Sequence, residues 1–135
     1  MRIDGGCHCG HVTYEAEIDP AKIVICHCTD CQRLTGSAYR VTALTPTGNL
    51  RLTANLPKIY TKHGDNGRPR LQSFCPECGS PLFTSGDGAD AATTGIRVGT
   101  INQRRELKPA RQIWCRSALP WINDVGDLPG VEGDS

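Results

Sequence analysis

Seven of the eight cysteines fall into three short clusters, Cys7-His8-Cys9, Cys26-His27-Cys28-Thr29-Asp30-Cys31 and Cys75-Pro76-Glu77-Cys78. Thiolates at such spacings chelate metal, and zinc is the ion that takes them in a tetrahedron. Four sulfurs close the shell, whereas three leave a position vacant. Seven ligands therefore divide into one closed site and one open site, two zinc ions in all. Chemistry, if there is any, belongs at the open position.

The turn Cys75-Pro76-Glu77-Cys78-Gly79 reads as a zinc knuckle. Pro76 presets the first turn position, and Gly79 allows a positive φ just past the second ligand. Such a turn aims N–H groups at the sulfurs and stabilises their charge. A redox Cys-x-x-Cys pair is the competing reading, but those pairs usually open a helix in an α/β setting. Cys7 and Cys9, flanked by Gly5-Gly6 and Gly10, supply a second chelating pair. Joined to Cys75 and Cys78, they make a four-cysteine site that ties the start of the chain to its middle, a structural role.

Cys26, Cys28 and Cys31 form the three-sulfur cluster. Their order excludes covalent haem attachment, which needs Cys-x-x-Cys-His. A three-thiolate zinc is a weak Lewis acid and suits exchange of soft ligands, such as a small thiol. His8, His27, His63 or Cys115 could instead fill the vacancy, although Cys115, between Trp114 and Arg116, reads as a buried free cysteine. Arg33 and Arg40 could hold a carboxylate of a thiol substrate, and Asp30 could orient a ligand or accept a proton. Trp114 and Trp121 read as core and edge packing.

The elements that must position these clusters are short strands. Residues 11–18 alternate apolar and polar, the pattern of a half-buried strand, and 23–25 form a short apolar strand running into Cys26. Residues 37–45 and 50–53 read as strands around a turn at 46–49. Residues 58–62 and 70–74 form a hairpin, and 81–84 and 96–101 complete the strands, with 85–95 a surface loop. One helix is expected at 29–35, with Thr29 and Gln32 in capping-box spacing and Gly36 as its left-handed stop. The pattern is all-β and single-domain over residues 1–130, with 131–135 a disordered tail.

Composition sets the bounds. Leu, Ile, Val and Phe are 27 of the 135 residues, which lies at the edge below which chains often stay disordered. Structural zinc, with roughly 10–16 kcal/mol of apparent binding free energy, can replace the missing apolar burial. The formal net charge of +1 would fall to about −2 with seven thiolates and two zinc ions. Nothing in it recruits nucleic acid or an anionic membrane. The N-terminus has no apolar signal region and no run is long enough for a membrane helix. The expected compartment is the reducing cytoplasm, where clustered cysteines hold metal in preference to forming disulfides.

These residues resemble a known family. Gly6-Cys7-x-Cys9-Gly10, Cys26-His27-Cys28-x-x-Cys31 followed by Gly36-Ser37, and Phe74-Cys75-Pro76-x-Cys78-Gly79-Ser80-Pro81-Leu82 are similar to the glutathione-dependent formaldehyde-activating enzymes. That family also contains the centromere protein V domain. Pro109, Ile113-Trp114 and Pro120-Trp121 resemble its usual ending. The resemblance implies a β-tent of several short coiled antiparallel sheets, with one helical turn near the second zinc. It implies structural zinc on Cys7, Cys9, Cys75 and Cys78, and catalytic zinc on Cys26, Cys28 and Cys31. The implied activity is that of a carbon–sulfur lyase, joining glutathione and formaldehyde as S-(hydroxymethyl)glutathione or the reverse. The alternative is a zinc-stabilised binding module without turnover.

Overall fold

The computed structural model describes residues 1–135 and is all-β, with a single short α-helix. Its strands are β1 (Arg2–Gly6), β2 (Thr13–Glu17), β3 (Ile23–Cys26), β4 (Arg40–Pro46), β5 (Leu50–Ala54), β6 (Lys58–His63), β7 (Pro69–Phe74), β8 (Pro81–Gly86), β9 (Thr93–Arg97) and β10 (Arg111–Ile113). They gather into two sheets, a three-stranded one ordered β1-β2-β5 and a seven-stranded one ordered β10-β3-β4-β9-β8-β7-β6. All pairings are antiparallel except β10 with β3, which is parallel.

The core forms where the two sheets bury apolar faces against each other. Ile3, Tyr14 and Ala16 from the small sheet meet Ile23, Ala43, Phe83 and Ile96 from the large one. Tyr14 packs edge to face on Phe83 with ring centroids 5.0 Å apart, an arrangement worth about 0.5–1.5 kcal/mol beyond area burial. Its buried hydroxyl pairs with Thr100 Oγ1 at 2.8 Å. Only 25 of 135 residues are buried, so additional cross-links between the sheets matter to stability.

Register shows that the seven-stranded sheet has two unlike faces. Side chains alternate along a strand, and directly paired residues share a face. Ile23 pairs with Ala43, Ala43 with Ile96, and Ile96 with Phe83, which defines the core face. On the opposite face Cys26 pairs with Arg40, Thr42 with Arg97, Gln72 with Thr84, and Lys62 with Arg70. This polar face is covered: Arg40, Thr42, Gln72, Thr84 and Arg97 are all buried.

Several sequence expectations shift. The region 85–95 is less loop than its Gly, Ala, Asp and Thr content suggests. β8 continues to Gly86, β9 starts at Thr93, and a 3₁₀ turn at Gly88–Ala92 joins them. Asp87 caps that turn by accepting from the Gly88 N–H at 2.9 Å, while Thr93 and Thr94 extend the ladder to β4. The strand expected at 96–101 ends at Arg97 and gives way to a 3₁₀ turn at Val98–Thr100. β1 and β10 are additional strands. β1 hides behind Gly5-Gly6, and Gly5 is there for space, since a Cβ would lie 2.2 Å from the Thr100 carbonyl oxygen. Residues 131–135 are exposed and carry no helix or strand.

Trp114 and Trp121 are 43% and 50% exposed, so neither packs in the core. Trp114 takes a left-handed backbone with φ 55°, and the Arg116 guanidinium lies 4.5 Å from its ring centre. Cys115, expected to be buried, is exposed at the start of the 3₁₀ turn Cys115–Ser117. The apolar look of that segment reflects an edge strand leading into a surface turn.

Candidate metal centres

The first cluster lies where the two sheets meet. Cys7 and Cys9 follow β1 in the small sheet, while Cys75 and Cys78 lie between β7 and β8 in the large one. Their four sulfurs lie within 4.8 Å of one another and could hold a metal ion. Cys9 Sγ is 3.7 Å from both Cys7 Sγ and Cys75 Sγ. That separation fits the edge of a tetrahedron whose corners lie about 2.3 Å from its centre, the length of a zinc–thiolate bond.

The knuckle works as its sequence suggests. Gly79 has φ 78°, and the N–H groups of Glu77 and Cys78 donate to Cys75 Sγ at 3.3 and 3.5 Å. Val12 N–H donates to Cys7 Sγ at 3.3 Å. Ser80 links the two halves, its Oγ accepting from the His8 N–H at 3.0 Å and lying 3.2 Å from Cys78 Sγ. The Ser80 hydroxyl, the Ser80 N–H and the Cys9 N–H hold the Cys78 thiol down at about 5. Although the His11 N–H pulls the other way, desolvation and the neighbouring sulfurs push Cys9 up to about 12. Such a spread marks sulfurs crowded too closely to be thiolates together, a state that a dication resolves by releasing the protons.

The second cluster is built by the end of β3 and the start of helix α1 (Thr29–Thr35). The sulfurs of Cys26, Cys28 and Cys31 lie within 4.8 Å of one another and could also hold a metal. Cys28, and not Thr29, is the N-cap. Its Sγ accepts from the Cys31 N–H at 3.2 Å, so one sulfur serves both the helix and the cluster. No capping box forms, because the Gln32 amide instead donates to the carbonyls of His27 and Ser117 at 2.8 and 3.0 Å. Gly36 stops the helix at φ 65° as expected. Burial and then the sulfurs of Cys28 and Cys26 push Cys31 up to about 12. Burial acts on Cys28 too, but the Cys31 N–H and the adjacent sulfurs hold its thiol below the ordinary value.

No fourth protein ligand joins this triad. His27 is buried with Nε2 2.7 Å from Gln112 Oε1, His63 is an exposed residue at the end of β6, and Cys115 is exposed elsewhere. Asp30 is engaged by Lys62 at 2.7 Å. Arg33 is exposed. Arg40 is brought beside the triad, directly across the sheet from Cys26.

Beside Cys28 opens a polar cleft of about 620 Å³, whose lining includes Asp30, Lys62, Arg68, Arg70 and Trp114. Lys62 and Arg70, which line this cleft, and Gln72 and Arg97, buried on the same sheet face, carried no functional expectation from the sequence. Their signal was alternation: each holds a polar position in a strand, and such positions read as solvent-facing until the covered polar face is seen.

Residues 2–117 match the sequence model of the family described as glutathione-dependent formaldehyde-activating enzyme. The chain belongs to that family. It is a family of enzymes, and both cysteine groups fall within the matched residues. The fold is also that of a crystal structure of a Rhodobacter sphaeroides protein, with a TM-score of 0.62 at 22% identity, covering 81% of this chain and 98% of that one. No helix of the chain is long and apolar enough to cross a membrane.

Proposed function

We propose that this family member is a zinc-dependent carbon–sulfur lyase acting on a small thiol adduct, with glutathione and formaldehyde as the leading substrate pair. One observation carries the reading: three sulfurs converge with no fourth protein ligand, and one of them, Cys28, lines a cleft large enough for a small peptide. Zinc held by Cys26, Cys28 and Cys31 would stabilise an incoming thiol as thiolate, the species that attacks an aldehyde carbon. Zinc held by Cys7, Cys9, Cys75 and Cys78 would cross-link the two sheets.

The chain's own residues do the remainder. Lys62 and Arg70 lie on the same sheet face as Cys26, and Asp30, Asp65 and Asp90 bring carboxylates to the same cleft. Charges of both signs suit a zwitterionic thiol such as glutathione. As sulfur bonds to carbon, the aldehyde oxygen gains the electron pair of the C=O bond and then a proton. Lys62, whose charge acts on Cys28, supplies a cation for that oxygen. The reverse direction returns the proton and releases thiol and aldehyde.

Residues 1–130 act in this reading as one unit, in a reducing compartment such as the cytoplasm that keeps the thiols free. The test is metal content followed by turnover. Protein purified under reducing conditions should hold two zinc ions, and should speed the exchange between glutathione plus formaldehyde and S-(hydroxymethyl)glutathione seen by NMR. Two zinc ions with no acceleration would favour a binding module.

A further inference from the structure

The polar face beneath α1 holds an unusual pair. Arg40 and Arg97 are only 5% and 8% exposed, and neither forms an ion pair with a carboxylate. Both guanidiniums donate to the same oxygen, Gln72 Oε1, Arg40 through Nη1 at 3.1 Å and Arg97 through Nη2 at 2.9 Å. The Gln72 amide is oriented for this, because its Nε2 donates to Thr84 Oγ1 at 3.0 Å. Arg97 also donates to Thr42 Oγ1 at 2.7 Å, and the Nε atoms of both arginines are buried without a partner. Two like charges around one neutral acceptor are expensive to bury, and packing alone would be served better by apolar side chains. The groups on this face that metal binding would turn into anions are the sulfurs: Cys26 is the direct cross-strand partner of Arg40.

We propose that Arg40 and Arg97 are the counter-charge of the Cys26–Cys28–Cys31 site, a buried guanidinium pair that makes its open position prefer an anionic ligand to a neutral one. The inference rests on the open-site reading above and concerns what that site selects. Three thiolates around a dication leave one net negative charge, and a further thiolate would double it. The guanidinium pair reverses that balance, so that the site and its thiolate ligand together are neutral. Low-dielectric surroundings make the compensation strong, because buried charges are weakly screened. Arg40 and Arg97 are positioning residues in this scheme and need not touch the substrate.

Gln72→Glu tests it with little threat to folding. The substitution keeps the shape, places a carboxylate between the guanidiniums and cancels one positive charge. In the cobalt-substituted full chain, 2-mercaptoethanol, which has no carboxylate and must shed its proton to ligate, is titrated against neutral imidazole at fixed pH and salt. The ligand-field spectrum is the readout. In Gln72→Glu the apparent affinity for the thiol should fall about tenfold or more, with imidazole changed by less than about threefold and thermal stability kept or raised. Arg97→Gln should show the same selective loss, and Arg97→Lys should restore most of it.

Equal shifts for both ligands, or none, in a Gln72→Glu protein that folds would overturn the role of the pair and leave the open site intact. A wild-type spectrum that answers neither ligand would overturn the open site, and this inference with it. If Gln72→Glu itself failed to fold with metal bound, the buried pair would carry no excess positive charge for a thiolate to use and the proposal would fall.

Discussion

The two cysteine regions use the same ligand and different surroundings. At the first, both pairs sit in loops, one from each sheet, and four sulfurs meet over a span of 66 residues from Cys9 to Cys75. At the second, three sulfurs come from six consecutive residues, and one of them, Cys28, lines a polar cleft. Cross-linking distant segments constrains the unfolded chain most, whereas a local chelate constrains little. If the proposed roles hold, the comparison teaches that sequence span separates a stapling site from a working one even when the ligand chemistry is identical.

The largest effect expected is on stability at the first site. Cys75→Ser should cost about 3 kcal/mol or more, or prevent folding, since structural zinc contributes roughly 10–16 kcal/mol in small domains. Denaturant unfolding of the zinc-loaded protein measures it, and an unchanged midpoint would break the division of roles.

Next in size is the complementary change. Cys28→Ser should lower glutathione–formaldehyde turnover by about a hundredfold or more, because a ligand is lost from the open site. Serine is a good N-cap, so α1 should survive and the stability loss should stay near 1 kcal/mol. Cys28→Ala removes the cap as well and should cost about 1 kcal/mol more than Cys28→Ser. Equal stabilities for the two would show that the Cys28 cap matters less than its 3.2 Å contact with the Cys31 N–H suggests.

Chelation sharpens the contrast further. Titration with a strong chelator, followed by metal release and circular dichroism together, should show two steps. The first metal should leave with the sheets intact and the second with unfolding. Simultaneous release and unfolding would mean that the second site also holds the fold.

The smallest effects expected come from two glycines. Gly36 and Gly79 are left-handed, at φ 65° and 78°, and a Cβ at either would meet nothing within 4 Å. Alanine at each should therefore cost only backbone strain, about 1 kcal/mol. At Gly36 the change should weaken the helix carrying Cys31 and spare the first site, as separate metal affinities would report.

Much of this was legible in the residues. Cysteine spacing named both clusters because chelation by Cys-x-Cys and Cys-x-x-Cys is local chemistry, and the knuckle hydrogen bonds followed from Pro76 and Gly79. The central strands followed from alternation. The capping box at Thr29 failed because a sulfur took the cap, and a cysteine at that position reads only as a ligand. β10 was unreadable for another reason: three residues pair in parallel with β3 only after the rest of the chain has brought them there.

The sequence by itself determined which residues could bind metal, how they divide into four and three, and that the chain is built of short strands. The pairs and the triad are set by neighbours a few residues apart, and the count of four and three follows from how many sulfurs a tetrahedral shell takes. Only the tertiary structure decided that a polar face of the large sheet is covered, placing Arg40, Arg97 and Gln72 behind the three-sulfur cluster. Alternation says that two faces differ but cannot say which of them meets water. That depends on where α1 packs, a contact between segments with no local signal for each other.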